Sequence, residues 1–301
     1  MKIIIKILIA VVCVIIFGVI VNFLIKTYVL KDFKVNPNKD ILVFGDSHSE
    51  CNFYDIDNGV QNFGVRSEPP NLTLLKAQYL LSDNTKQSVI ITLSPHNISA
   101  WREKRFYERD TTGAMLSKYW SLIDNSYLLE YYSTLPSKTR ALLHLKKITG
   151  APSVESSFLI KNRFKGGFYK EKDTTIINFK RAKKAYIRHF GDDYFNNTNN
   201  VFSSKKIKDY YREFISFAVS KGAQVFVVGT PIHSSYSDLL TSECKADYKT
   251  FLQELQVEFP SVKILNYTNL ELEKSYFLDS DHLNFSGAKY FTDMVTKEID
   301  K

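Results

Sequence analysis

The chain reads as an α/β protein with a flavodoxin-like, three-layer architecture, and two observations carry that reading. Short apolar runs that end in glycine or small polar residues alternate with longer segments of helical periodicity. The runs are separated by stretches long enough to hold a crossover helix, which implies a mostly parallel sheet covered on both faces. Five strands at this spacing suit the order 2-1-3-4-5, which has its switch point between the first and third strands.

The first strand is Ile41-Leu42-Val43-Phe44, ended by Gly45. Val60-Gln61-Asn62-Phe63-Gly64 makes a short second strand. Pro69 and Pro70 open a helix to about Leu81, with Leu72, Leu75 and Tyr79 spaced for one buried face. Ser88 to Leu93 is the third strand. After an interruption from about 98 to 200, alternation resumes: a helix from about 203 to 221, strand 224–228, a helix near 242–258, strand 262–265 and a final helix near 285–299. Within the interruption, helices are expected around 115–132 and 138–148, and Gly166-Gly167 marks a turn.

Ahead of this domain lies a different kind of segment. Ile7 to Ile25 carries no charge and is broken only by Asn22. At ~1.5 Å per residue it reaches about 28 Å, close to the ~30 Å hydrocarbon core of a bilayer. Its length, with no small-x-small site after it, favours an uncleaved anchor over a signal peptide. The expected organisation is an anchor over residues 1–30, a polar tether over 31–39 containing Pro37, and an α/β domain over 40–301 with a mainly helical insertion at about 98–200. Orientation is not settled by charge, since Lys2 and Lys6 precede the span while Lys26, Lys31 and Lys34 follow it.

The chain has 301 residues, 44% hydrophobic, with a net charge of +8, so it can bury a sizeable core and favours anionic partners. Between Lys138 and Phe190, Lys and Arg exceed Asp and Glu by 11, which leaves the remainder slightly acidic. A solvated basic face is the ordinary account of such a run. Beside a membrane anchor, and interleaved with aromatic residues, it also suits contact with anionic lipid or glycan. No nucleic-acid-binding motif accompanies the charge. Cys13, Cys51 and Cys244 share no short spacing, so neither a zinc site nor a redox pair is indicated. Cys51 and Cys244 read as inert thiols, with one disulfide between them as the alternative. There is no phosphate-cradling glycine loop, and no cofactor or metal is expected.

Chemistry concentrates at the two ends of the domain. Gly45-Asp46-Ser47-His48 puts a serine on a tight turn at the carboxyl end of a buried strand, where its hydroxyl can enter the crevice above the sheet. Near the C-terminus stands Phe277-Leu278-Asp279-Ser280-Asp281-His282-Leu283-Asn284-Phe285-Ser286-Gly287. A carboxylate three residues before a histidine can fix its tautomer and stabilise the imidazolium. The other ring nitrogen is then left to deprotonate a hydroxyl that is otherwise a poor nucleophile. The competing account of this segment is a capped helix start with solvated loop carboxylates.

As a pair, GDSH and D-x-x-H-x-N-x-x-G resemble the SGNH (GDSL-like) hydrolase superfamily over residues 40–300. The resemblance implies Ser47 as nucleophile, His282 as general base and Asp279 as its orienting partner. It implies an oxyanion site formed by the Ser47 backbone N–H, the Gly64 N–H and an asparagine side chain after the third strand. The segment there, Leu93-Ser94-Pro95-His96-Asn97, lacks the family's glycine and aspartate, which leaves Asn97 as the expected donor and His96 as a substitute or substrate contact. His233, after the fourth strand, is a further expected substrate contact; His48 is expected to pack or hydrogen-bond. The single anchor makes the layout similar to membrane-tethered members that acylate envelope polymers. Examples are the D-alanyl transfer protein of teichoic acids and the alginate O-acetylation proteins.

The function expected is that of a membrane-anchored serine acyltransferase or esterase acting on O-acyl, above all O-acetyl, groups of an envelope polysaccharide. The domain would face the outer, periplasmic or extracellular side, with an integral membrane partner delivering the acyl group. Two alternatives stay open: a non-catalytic glycan-binding or scaffold subunit of an envelope-modifying complex, and a lipase-like esterase whose insertion is a lid.

Overall fold

The computed structural model describes residues 2–56, 59–107, 118–119, 121–123, 164–169, 175–191 and 202–301. The helices expected at 115–132 and 138–148 and most of the basic run lie outside them, apart from isolated positions. The chain divides into two compact units, residues 1–34 with 105–164 and residues 35–104 with 165–301.

The described part of the first unit is dominated by helix α1, Lys2–Leu30. Its residues Lys2–Tyr28 are long and apolar enough to cross a membrane or to serve as a signal sequence. Its large side chains are exposed, among them Ile3, Leu8, Phe17 and Phe23.

The second unit is built on a five-stranded, wholly parallel sheet in the order β2-β1-β3-β4-β5. Its strands are β1 Ile41–Phe44, β2 Val60–Asn62, β3 Ser88–Thr92, β4 Gln224–Gly229 and β5 Lys263–Asn266. The helices of the chain after α1 are α2 Ser47–Asn52, α3 Pro70–Leu80, α4 Ala100–Tyr107, whose last three residues fall in the first unit, α5 Phe179–Phe190, α6 Lys205–Ser220, α7 Ser234–Ser237, α8 Ser242–Glu258 and α9 Phe285–Ile299, among the described residues. The expected α/β class and strand order are those observed.

The continuous apolar character of β1 and β3 follows from burial on both faces. Ile41, Val43, Ile90, Phe226 and Val228 pack with Phe291, Val295 and Ile299 of α9. On the opposite face Phe44 meets Phe214 of α6 edge-on at 5.5 Å. Residues 165–191, within the expected insertion, belong to the sheet-bearing unit. There, Ala185, Tyr186 and Phe190 of α5 pack against Ile232, Tyr236 and Leu240 beyond β4.

Helix α3 departs from the expected pattern. Tyr79 is exposed, and the buried face is Leu72, Thr73, Lys76, Ala77 and Leu80. A lysine displaces the tyrosine because its charge is matched inside: Lys76 Nζ lies 2.8 Å from Glu68 Oε2, both side chains fully buried, and it also donates to the Phe63 carbonyl oxygen. Glu68 additionally accepts from the Thr73 hydroxyl at 2.8 Å. Burial lowers the Lys76 pKa, with Glu68 opposing. Removing one member of a buried pair strands the other charge. Lys76→Met alone is therefore expected to lower unfolding free energy by about 3–5 kcal/mol. Lys76→Met combined with Glu68→Leu should lower it by less, as measured by denaturant titration of the full chain in detergent.

Candidate active site

The site forms where β1, β3 and β4 end. Gly45 leaves β1 with φ +139°, and a Cβ there would collide with the side chains of Thr92 and Ser49. Glycine is therefore required for the chain to turn sharply into α2. Asp46 caps α2, its Oδ1 accepting from the His48 N–H at 3.1 Å. Ser47 is the first residue of the helix and is half-buried.

Ser47 Oγ lies 2.9 Å from His282 Nε2, across 235 residues of sequence. His282 Nδ1 lies 3.0 and 3.2 Å from the two oxygens of Asp279. Asp279 Oδ1 also accepts from the N–H groups of Asp281 (3.1 Å) and His282 (2.9 Å), which fixes the carboxylate within the loop. Asn284 caps α9 through the Gly287 N–H at 3.0 Å and donates to the Ser275 carbonyl. The loop is thus a capped helix start that also positions a base.

Burial opposes a charge on His282, but the carboxylates of Asp281 and Asp279 outweigh it and raise the imidazole to about 9. Burial would raise Asp279 as well, and His282 beside it instead holds that carboxyl well below its usual range. Asp281, 1% exposed, is pushed up to about 6, chiefly by burial.

Beneath the serine, Asp46 is a buried hub. Its Oδ2 accepts from Arg102 Nη1 (2.6 Å), Asn97 Nδ2 (2.9 Å) and His96 Nε2 (3.2 Å). Burial favours the neutral acid, and Arg102 and His96 reverse that, keeping Asp46 well below the carboxylate range. The His96 ring is stacked between His48, at 4.2 Å, and His189, at 4.4 Å, and the His48 ring is 5.0 Å from that of His282. His48 Nδ1 pairs with Thr230 Oγ1 at 2.6 Å, and His189 Nδ1 with the Tyr236 hydroxyl at 2.7 Å. Burial lowers His48 and His189 far below the usual histidine range and His96 to about 4, so this stack is neutral near pH 7.

Several expected roles change in this geometry. The Gly64 N–H donates to Asn62 Oδ1 at 2.8 Å instead of standing free for an oxyanion. A Cβ at Gly64 would overlap Ser49 and the Glu50 backbone, so close packing against α2 accounts for the glycine. Asn97 spends one amide hydrogen on Asp46 and its carbonyl on the Ser94 N–H (2.7 Å). His96 is 1% exposed and bound to Asp46, which removes it from substrate contact. His233 caps α7 and lines a cavity of about 440 Å³ with Phe277, Asp238 and Glu271. That cavity lies beside the loops after β4 and β5, and neither Ser47 nor His282 lines it.

Asp281, Arg102, Arg188, His189 and Thr230 are site residues that pattern reasoning missed. For Asp281 a signal existed, since Asp-Ser-Asp-His puts two carboxylates within reach of one imidazole. The others come from separate elements and have no local signature.

Among the described residues, His48, Asp281 and His282 bring metal-capable atoms within 4.8 Å of one another. Both His282 nitrogens are committed to Ser47 and Asp279, and Asp281 to Arg188, so the donors fit a hydrogen-bonded relay better than a metal seat. Cys51 and Cys244 are free and buried, and burial pushes both thiols up to about 12.

A family model for a domain of unknown function matches residues 192–301. No curated protein matches the chain. Among solved structures, a Streptococcus pneumonia protein described as a platelet activating factor is 11% identical, with a TM-score of 0.43 over 96% of this chain and 98% of that one. A likeness at that level carries no argument about the chemistry.

Buried neutral histidines make the fold acid-sensitive. Below about pH 6.5 the unfolded chain protonates His48, His96 and His189 while the folded chain resists, so stability falls as pH drops. The raised Asp281 and Asp55 oppose this, but the lowered Asp46 and Asp279 add to the loss at the acid end together with the histidines. The raised His282 acts above neutrality, its contribution being complete below pH 6.5 and lost as pH climbs through about 9. Thermal melts are therefore expected to peak near neutral pH and decline toward pH 4.5, with His189→Gln showing a shallower decline. A flat profile would contradict the neutral stack.

Proposed function

We propose that this protein is a membrane-anchored serine esterase or O-acyltransferase. It would act on O-acyl groups, above all O-acetyl groups, of an envelope polysaccharide. The observation that carries the reading is the relay from Ser47 Oγ through His282 to Asp279, at 2.9 and 3.0 Å.

In this reading Ser47 Oγ attacks the acyl carbonyl carbon while His282 Nε2 takes the hydroxyl proton. Asp279 holds the resulting imidazolium. The tetrahedral intermediate collapses, the C–O bond to the donor alcohol breaks, and His282 returns the proton to that leaving oxygen. An incoming sugar hydroxyl or water then gives its proton to His282 and attacks the acyl-serine; the bond to Ser47 Oγ breaks, His282 returns the proton to Oγ, and ester or acid is released. The Ser47 N–H at the start of α2 is the donor assigned to the oxyanion. A site short of one good donor loses about 10²–10³ in rate.

The apolar α1 supports an anchored protein, and the placement of the domain on the outer side belongs to this proposal. An integral membrane partner would deliver the acyl group. The basic insertion would contact anionic lipid or the glycan. Transfer and hydrolysis differ only in whether water is excluded from the second step.

The full-length protein in detergent should label with a fluorophosphonate probe and release p-nitrophenol from p-nitrophenyl acetate. Ser47→Ala should abolish labelling, and His282→Ala should lower kcat by roughly 10⁴ or more. Equal behaviour of wild type and Ser47→Ala would sink the catalytic reading and leave the scaffold alternative.

Because the base must be unprotonated, kcat/KM should rise about tenfold per pH unit through neutrality and level off near pH 9. A plateau already reached by pH 7 would show that the two carboxylates do not hold His282 charged.

A further inference from the structure

His282 has more than one carboxylate. Asp279 lies 3.0 Å from Nδ1, and on the same side Asp281 Oδ2 lies 3.6 Å away. Asp281 is 1% exposed, so its charge is little screened by water. Its orientation is set from outside the loop. Arg188 Nη2, in the last turn of α5, donates to Oδ2 at 3.0 Å, and His189 Nε2 stands 3.7 Å from the same oxygen. Oδ1 accepts from the Ser280 hydroxyl at 3.3 Å. A buried carboxylate held this firmly beside a catalytic imidazole is more than a loop residue.

We propose that Asp281 is a second carboxylate partner of His282, a positioning residue that stabilises the imidazolium together with Asp279, and that Arg188 of α5 limits how strongly it acts. This rests on the reading of Ser47 and His282 as nucleophile and base.

When the serine proton reaches Nε2, positive charge spreads onto Nδ1–H, which faces both carboxylates. Two anions around one cation would over-stabilise the protonated base and leave little neutral imidazole to start the reaction. The Arg188 guanidinium offsets part of that field, so α5 tunes the base from a different element. The remaining groups around the pair are His48 from α2, His96 from the turn after β3, and Tyr236 from α7. All are buried, and the histidines are uncharged near neutrality.

The arrangement predicts opposite effects from two substitutions. Asp281→Asn removes an anion within about 4 Å and should lower the pH midpoint of His282 protonation by about one unit or more. Arg188→Gln removes a cation acting on the same pair and should raise it. The measurement is an NMR titration of the full-length protein in detergent with isotope-labelled histidine, the six ring signals being few enough for the His282→Asn variant to assign. The acidic limb of kcat/KM on p-nitrophenyl acetate should move in the same directions, while kcat above the plateau changes far less than in Asp279→Asn.

A His282 midpoint unmoved in both variants overturns the proposal. Should Asp281→Asn not fold, Arg188→Gln alone decides, because its side chain is half exposed and its loss leaves no buried cavity. Because the titration needs no turnover, shifted midpoints in a protein without esterase activity would uphold the Asp281 pairing and reject the enzymatic reading. Activity with unmoved midpoints would do the reverse.

Discussion

The buried carboxylate of Asp46 is the interaction on which the rest of the site depends. It ends the first strand, caps α2 and gathers Arg102, Asn97 and His96 from the segment after β3. An ionised carboxylate so deep is tenable only because it is fully hydrogen-bonded and paired with a cation. Through it the segments that follow the neighbouring strands β1 and β3 are tied together at the carboxyl end of the sheet. That tie lets a six-residue helix present Ser47 at one defined position.

Burial governs the site in a second way, by sorting histidines. His48, His96 and His189 are desolvated and stay neutral, so they serve as stacked, hydrogen-bonding packing. His282 is also buried yet is pushed the other way, because two carboxylates face it. One residue type thus takes two roles within about 5 Å, separated by the charges nearby and not by exposure. The same logic admits Lys76 to the core beside Glu68. Arg102, which reaches both Asp46 and the Glu68 carbonyl, joins that buried pair to the serine turn.

Helix α5 gives part of the region between β3 and β4 a structural role. Its Tyr186 and Phe190 pack on the segment after β4, and its last turn carries Arg188 and His189 to the loop that bears Asp279, Asp281 and His282. The base is therefore held by three elements: its own loop, α2 through His48, and α5.

The pairing of GDSH with D-x-x-H rested on a family resemblance, whereas the alternation of apolar runs and helices was enough to determine the parallel sheet and its order. These follow from local periodicity and from topology, in which strand ends converge at a switch point. The helical face of α3 was misread because an apolar pattern cannot anticipate that a lysine will find its counter-charge inside. Gly64 and Asn97 were assigned by motif, whereas packing against α2 and the demand of Asp46 decide what their polar groups do. Asp281, Arg188 and His189 acquire their meaning from contacts across more than 90 residues of chain, which no spacing rule encodes. For Ser47 the sequence determined the turn it stands on. Only the tertiary structure decided that an imidazole would lie 2.9 Å away and which carboxylates would charge it, because electrostatic fields depend on distances that folding alone sets.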